Sequence, residues 1–165
     1  NIAAEVVGTT VCQSRATFAS LPNFGAGKWS LLAITWNAGT ASPRMYTGDL
    51  THIAEEATAY TNQNVGVWSP HDDSADNLVI GAAGGATNSI PGNIAVFMVF
   101  NTVLTLGEIR QQQFFPHKIA SNVVFMHLGF NGTGTQPDWS GYKNNGIVTG
   151  ATVFRHVPLG SLFGR

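Results

Sequence analysis

Charge is what this chain has least of. Charged residues make up 10% of its 165 residues and nearly cancel to a net charge of −1, against about 25% in an average globular protein. Such a surface offers no basic stripe to DNA or RNA and no cationic face to an anionic membrane. Cysteine is almost absent too. Cys12 stands alone, so no intrachain disulfide can form and the fold must rest on its core and its hydrogen-bond ladders. No apolar run approaches the roughly 18 residues that cross a bilayer; the longest candidate, residues 94–100, implies no membrane insertion. No signal peptide is visible either, and the first residue is Asn1, which reads as an end that was processed, trimmed or cut from a longer product.

Several kinds of chemistry are missing as well. His52, His71, His117, His127 and His156 are scattered without metal-ligand spacing, and no Gly-x-Ser-x-Gly elbow presents a nucleophile. Gly81-Ala82-Ala83-Gly84-Gly85 lacks the Lys-Ser or Lys-Thr and the opening helix of a phosphate loop, so it reads as a flexible connection. The four glutamates are Glu5, Glu55, Glu56 and Glu108; none has a carboxylate partner at the i, i+4 spacing that would put two on one strand face at glycosidase separation.

What is present is apolar, β-branched and rich in glycine. With 44% hydrophobic residues and 19 Gly, the chain can build one core that hides about two-thirds of its unfolded surface, which predicts a single domain over residues 1–165. Residues 6–18, 29–37, 43–46, 58–61, 77–80, 94–100 and 123–130 are short segments rich in Val, Ile, Thr and aromatics, separated by Gly, Pro, Asn and Ser clusters. This predicts an all-β chain. Leu32, Ile34 and Trp36 alternate with Leu31, Ala33 and Thr35, so both strand faces are apolar, as expected inside a two-sheet antiparallel β-sandwich. One helical turn is predicted near 105–113. Thr105 and Glu108 stand three apart as a capping box, Ile109 faces inward, residues 110–113 run out polar, and Pro116 stops the turn.

Two groups of residues carry a resemblance. Lys28 to Asn37, a hairpin through Tyr46 and Gly48, Leu78 to Gly81, Gly92 to Phe100 and the Leu104-Thr105-Leu106-Gly107-Glu108-Ile109 turn follow one another in order. Further on, Asp138-Trp139-Ser140-Gly141 leads to Asn144-Asn145-Gly146, in which Asp138 is placed to accept from the N–H groups of Ser140 and Gly141 as an Asx-turn. The first group resembles the C-terminal half of a concanavalin A-like, laminin G-type (LamG-like) jelly roll, and the second is similar to the turn that normally opens such domains. The resemblance spans about residues 29–153. It departs from the family in order, because the opening turn comes last. The jelly roll is then permuted, or begins mid-domain, or is completed by a neighbouring subunit. The hairpin departs too, with Asp49 following Gly48 where the family carries Asp before Gly.

The resemblance implies recognition more often than catalysis. The same fold hosts β-glucanases, but their Glu-x-Asp-x-x-Glu pattern is absent here, so no catalytic residue and no enzyme activity is expected. A sugar site needs an aromatic platform with polar groups beside it. Trp139 and Tyr142 with Asp138, Asn144 and Asn145 form one candidate, and Trp68 and Tyr60 supply further aromatics in polar segments. Asp72, Asp73 and Asp76 are candidate calcium ligands, since calcium takes six or more oxygens and three carboxylates fall within five residues. The expected function is a lectin-like carbohydrate-binding or adhesion module, extracellular or on a virion surface, meeting glycan or cell-surface polysaccharide. The alternative is an assembly protein, such as a virion decoration or tail-associated subunit, that packs on copies of itself or on a neighbouring subunit.

Overall fold

The computed structural model describes residues 2–6, 12–37, 43–64, 80, 82–83, 88–89, 92–116, 122–128 and 134–148. They are mostly strand with little helix, and every strand pairing is antiparallel, so the chain is all-β. It divides into two compact units, Asn1–His71 with Val103–Pro116, and Asp72–Thr102 with His117–Arg165.

The first unit holds two three-stranded sheets. Strands β1 (Ile2–Val6), β2 (Cys12–Ala16) and β6 (Asn62–Asn64) pair in the order β1-β2-β6, and β3 (Ser30–Thr35), β4 (Arg44–Asp49) and β5 (Glu55–Glu56) in the order β3-β4-β5. In the span 6–18, expected as one strand, β1 ends at Val6 and β2 runs from Cys12 to Ala16. Ala16, Leu21, Met45 and Ala57 form a buried cluster, with Phe24 and Tyr60 packed against it. Thr47, also buried, donates its hydroxyl to the Pro22 carbonyl at 2.7 Å, which satisfies a polar group that burial would otherwise penalise.

A nine-residue helix, α1 (Leu106–Phe114), docks on β4 and the turn after it. Its capping box forms as the spacing predicts: Glu108 N–H donates to Thr105 Oγ1 at 3.3 Å, and Thr105 N–H donates to Glu108 Oε2 at 2.7 Å. The bonds from Thr105 outweigh desolvation and hold the Glu108 carboxyl below its usual range. Ile109 is buried. The rest of the helix departs from the expected polar run-out. Gln113 Nε2 donates to the Asp49 and His52 carbonyls at 2.7 Å each, its Oε1 accepts from Ala54 N–H at 2.7 Å, and Arg110 Nε donates to the Ala54 carbonyl at 2.9 Å. These long polar side chains supply hydrogen-bond partners to backbone amides and carbonyls of the turn after β4.

Gly48 explains a second difference. Tyr46 and Gly48 lie inside β4, and the chain turns after Asp49. A Cβ on Gly48 would sit 2.7 Å from Gln113 Nε2 and 3.0 Å from the Ala54 backbone. The glycine serves the close approach of helix and turn.

β3 also differs from expectation. Among the described residues it pairs only with β4, at one edge of its sheet, and Leu32 and Ile34 are 38% and 49% exposed. The alternation is real: Leu32 and Ile34 are exposed, and Leu31, Ala33 and Thr35 between them are half-buried.

The second unit carries three two-stranded ladders: β7 (Ala82–Ala83) with β8 (Asn88–Ser89), β9 (Val96–Phe100) with β10 (Val123–Leu128), and β11 (Gly134–Gln136) with β12 (Gly146–Val148). Val123 and Met126 are buried, whereas every residue of β9 is only half-buried. The β9–β10 register shifts between Val123 and Phe125, a bulge that takes Val124 out of the ladder.

Candidate functional site

The loop between β11 and β12 is organised around one carboxylate. Asp138 Oδ1 accepts from Ser140 N–H at 2.9 Å and from Met126 N–H at 2.9 Å; Oδ2 accepts from Ser140 Oγ at 2.7 Å and from Asn144 N–H at 3.0 Å. The expected Asx-turn is therefore present, with Asn144 and Met126 taking the part expected of Gly141. Desolvation pushes the Asp138 carboxyl up, but the bonds from Ser140, Met126 and Asn144 outweigh it and bring it down to about 2. The loop closes on itself through Asp138 N–H, which donates to Asn145 Oδ1 at 3.0 Å, and Tyr142 N–H, which donates to Ser140 Oγ at 3.3 Å. Gly141 at φ 92° and Lys143 at φ 62° supply the left-handed steps that so tight a path requires.

The loop is also pinned to β10. Beyond the Met126–Asp138 bond, Trp139 N–H donates to the Met126 carbonyl at 2.8 Å, and Asn144 Nδ2 donates to the Val124 carbonyl at 2.9 Å. The bulge at Val124 provides that carbonyl. Asp138, Asn144 and Asn145 thus use polar atoms to build and anchor the loop, and the large side chains left presenting surface include two aromatics and Lys143. Trp139 is 56% exposed and Tyr142 59% exposed, with Ile147 of β12 at 82%. Eight hydrogen bonds fix the path of the loop, so the backbone that presents the exposed Trp139 and Tyr142 needs no ordering before either ring stacks on a flat apolar face.

Tyr60 belongs to the first unit. Its ring packs on the core cluster, and its hydroxyl accepts from Met45 N–H at 2.8 Å and lies 3.4 Å from Glu56 Oε1. Desolvation raises the phenol's pKa, and the Glu56 carboxylate adds to it against the opposing bond from Met45. Trp68 and the aspartates Asp72, Asp73 and Asp76 lie outside the described residues. Among the described residues no three His, Cys, Asp or Glu side chains gather to hold a metal.

A second polar cluster, without a sequence motif to announce it, closes β4. Asp49, 7% exposed, accepts on Oδ1 from Thr51 N–H at 2.8 Å, Thr51 Oγ1 at 2.9 Å and His52 N–H at 2.8 Å, meets His52 Nδ1 at 2.9 Å, and has Lys28 Nζ 3.7 Å from Oδ2. The Thr51 N–H and the His52 ring lead the bonds that hold this carboxyl well below its usual range, against desolvation. An Asp–His pair beside a hydroxyl invites comparison with a catalytic triad. In a triad, however, the acid and the nucleophile use different ring nitrogens. Here Thr51 Oγ1 meets Nδ1 at 2.9 Å, the same atom that faces Asp49. The cluster ties the turn after β4.

No helix among the described residues is long and apolar enough to cross a membrane. No known family model matches the chain, and no curated protein or solved structure shows significant similarity to it.

Proposed function

We propose that the chain is a non-catalytic, lectin-like carbohydrate-binding module of concanavalin A-like, LamG-type jelly-roll character, working outside the cell or on a virion surface. The observation that carries this reading is the exposed Trp139 and Tyr142 pair on a loop already locked by Asp138. Sugar rings have one face of C–H groups that stacks on an aromatic, and a loop backbone held in advance avoids the entropy of ordering it on binding. Calcium at Asp72, Asp73 and Asp76 belongs to the same reading and is tested alongside it.

The test is a broad glycan array probed with wild type, Trp139→Ala and Tyr142→Ala, with and without a chelator. Selective binding that falls about tenfold or more in either variant, the loss of a central aromatic anchor, supports the reading. A chelator effect would bring calcium in. A folded protein that binds no glycan removes the reading.

One observation favours a second one, that of an assembly subunit: among the described residues β3 lies at a sheet edge, where it presents Leu32 and Ile34 and carries no charged residue. Such an edge lacks the usual guards against pairing with another strand. Light scattering across a concentration series, on wild type and Ile34→Lys, separates the two. Self-association abolished by the lysine supports assembly, and a monomer throughout removes it.

A further inference from the structure

Resting on the glycan reading, we infer that the ligand of the 138–145 loop is an anionic glycan, a sugar chain carrying the carboxylates of uronic acids, and that Lys143 receives the carboxylate.

The loop sorts its charges by role. Residues 134–148 contain one acid, Asp138, and one base, Lys143. The acid is committed to the loop interior, where four donors hold it. The base is exposed, and among the described residues it enters no ion pair, the pairs being those of Lys28, Arg44 and His52. The loop therefore shows a ligand two aromatic faces and a cation.

Backbone geometry sharpens the point. Lys143 sits at φ 62°, a left-handed conformation that Gly and Asn adopt more readily than a lysine does. What lysine adds at this position is a long stem and an ammonium, a compact charge suited to a carboxylate. In a uronic acid the carboxylate projects from the edge of the ring. A ring stacked on Tyr142 or Trp139 carries it past the rim of the aromatic, and Lys143 follows Tyr142 directly in the chain.

The experiment is calorimetric titration of wild type, Lys143→Asn and Trp139→Ala with an oligogalacturonate as the free acid and as its methyl ester. The two probes share a sugar and differ in charge. Wild type is expected to bind the acid about threefold to tenfold more tightly than the ester, the range of an exposed to partly desolvated charge contact. Lys143→Asn should bind both at the ester's affinity. Raising salt from about 0.01 M to about 1 M, which shortens the screening length from about 30 Å to about 3 Å, should erase the preference. Asn tolerates the left-handed step, so the variant should fold, and an unchanged melting curve confirms it.

Equal affinity of wild type for acid and ester, or a preference that survives in Lys143→Asn, overturns the inference. If Trp139→Ala still weakens binding in that case, the glycan reading stands without it. Failure to bind either probe while array glycans bind through Trp139 likewise removes the anionic assignment alone. Failure on every glycan removes both.

Discussion

Asp138 shows how one side chain can specify a loop. It gathers donors from Met126, Ser140 and Asn144 at 2.7–3.0 Å, and its carboxyl falls from 3.8 to about 2 as a result. A group whose pKa is lowered on folding stabilises the folded state above its unfolded pKa and loses that contribution as pH falls through the folded value. The stabilisation from Asp138 should be complete above about pH 4 and fade between about pH 4 and pH 2. Asp138→Asn, which keeps the shape but replaces an acceptor facing N–H donors with an amide, should cost about 2 kcal/mol at neutral pH. Its denaturation midpoint should converge on that of wild type as pH falls through this window, and a constant gap would contradict the assignment. The Asp138–Ser140 part of the loop was legible in the sequence because it is local, spanning two residues. Its anchors on Met126 and Val124 were not, since they lie 12 and 20 residues away and depend on a bulge. Lys143 gave no signal either, because nothing in the motif says which residue takes a left-handed step.

At the scale of elements, α1 separates what local patterns encode from what docking decides. Its start was legible down to the capping box, since Thr105 and Glu108 need only each other. Its attachment was not. Gln113 and Arg110 read as solvent-facing, yet they bond Asp49, His52 and Ala54 more than fifty residues away in sequence. Gly48 read as a turn glycine for the same reason: sequence shows that a side chain is missing, not what takes its place. Gly48→Ala should force the Ala54 backbone and Gln113 apart, lowering stability by about 1–3 kcal/mol as overpacking does. Pairing it with Gln113→Ala, which removes the flexible half of the clash, should recover part of that loss relative to the sum of the single changes. Thermal melts of the four proteins measure it; simple additivity would show that the helix does not press on Gly48. β3 teaches the converse lesson. Alternating apolar residues predicted a strand correctly, but periodicity cannot report whether a second layer covers Leu32 and Ile34.

For the molecule as a whole, the all-β class follows from β-branched segments cut by Gly, Pro and Asn, and both compact units obey it. A net charge near zero gives the chain little long-range electrostatic steering. The central claim is that glycan meets the chain at Trp139 and Tyr142. The direct measurement is an NMR titration of 15N-labelled protein with the glycan that binds best on the array, following the indole N–H of each tryptophan and the backbone amides. The account predicts that the Trp139 indole signal and the amides of residues 139–145 shift together with one dissociation constant, and that Trp139→Ala abolishes the saturable shifts. Saturable shifts that leave Trp139 and its loop unmoved would contradict it.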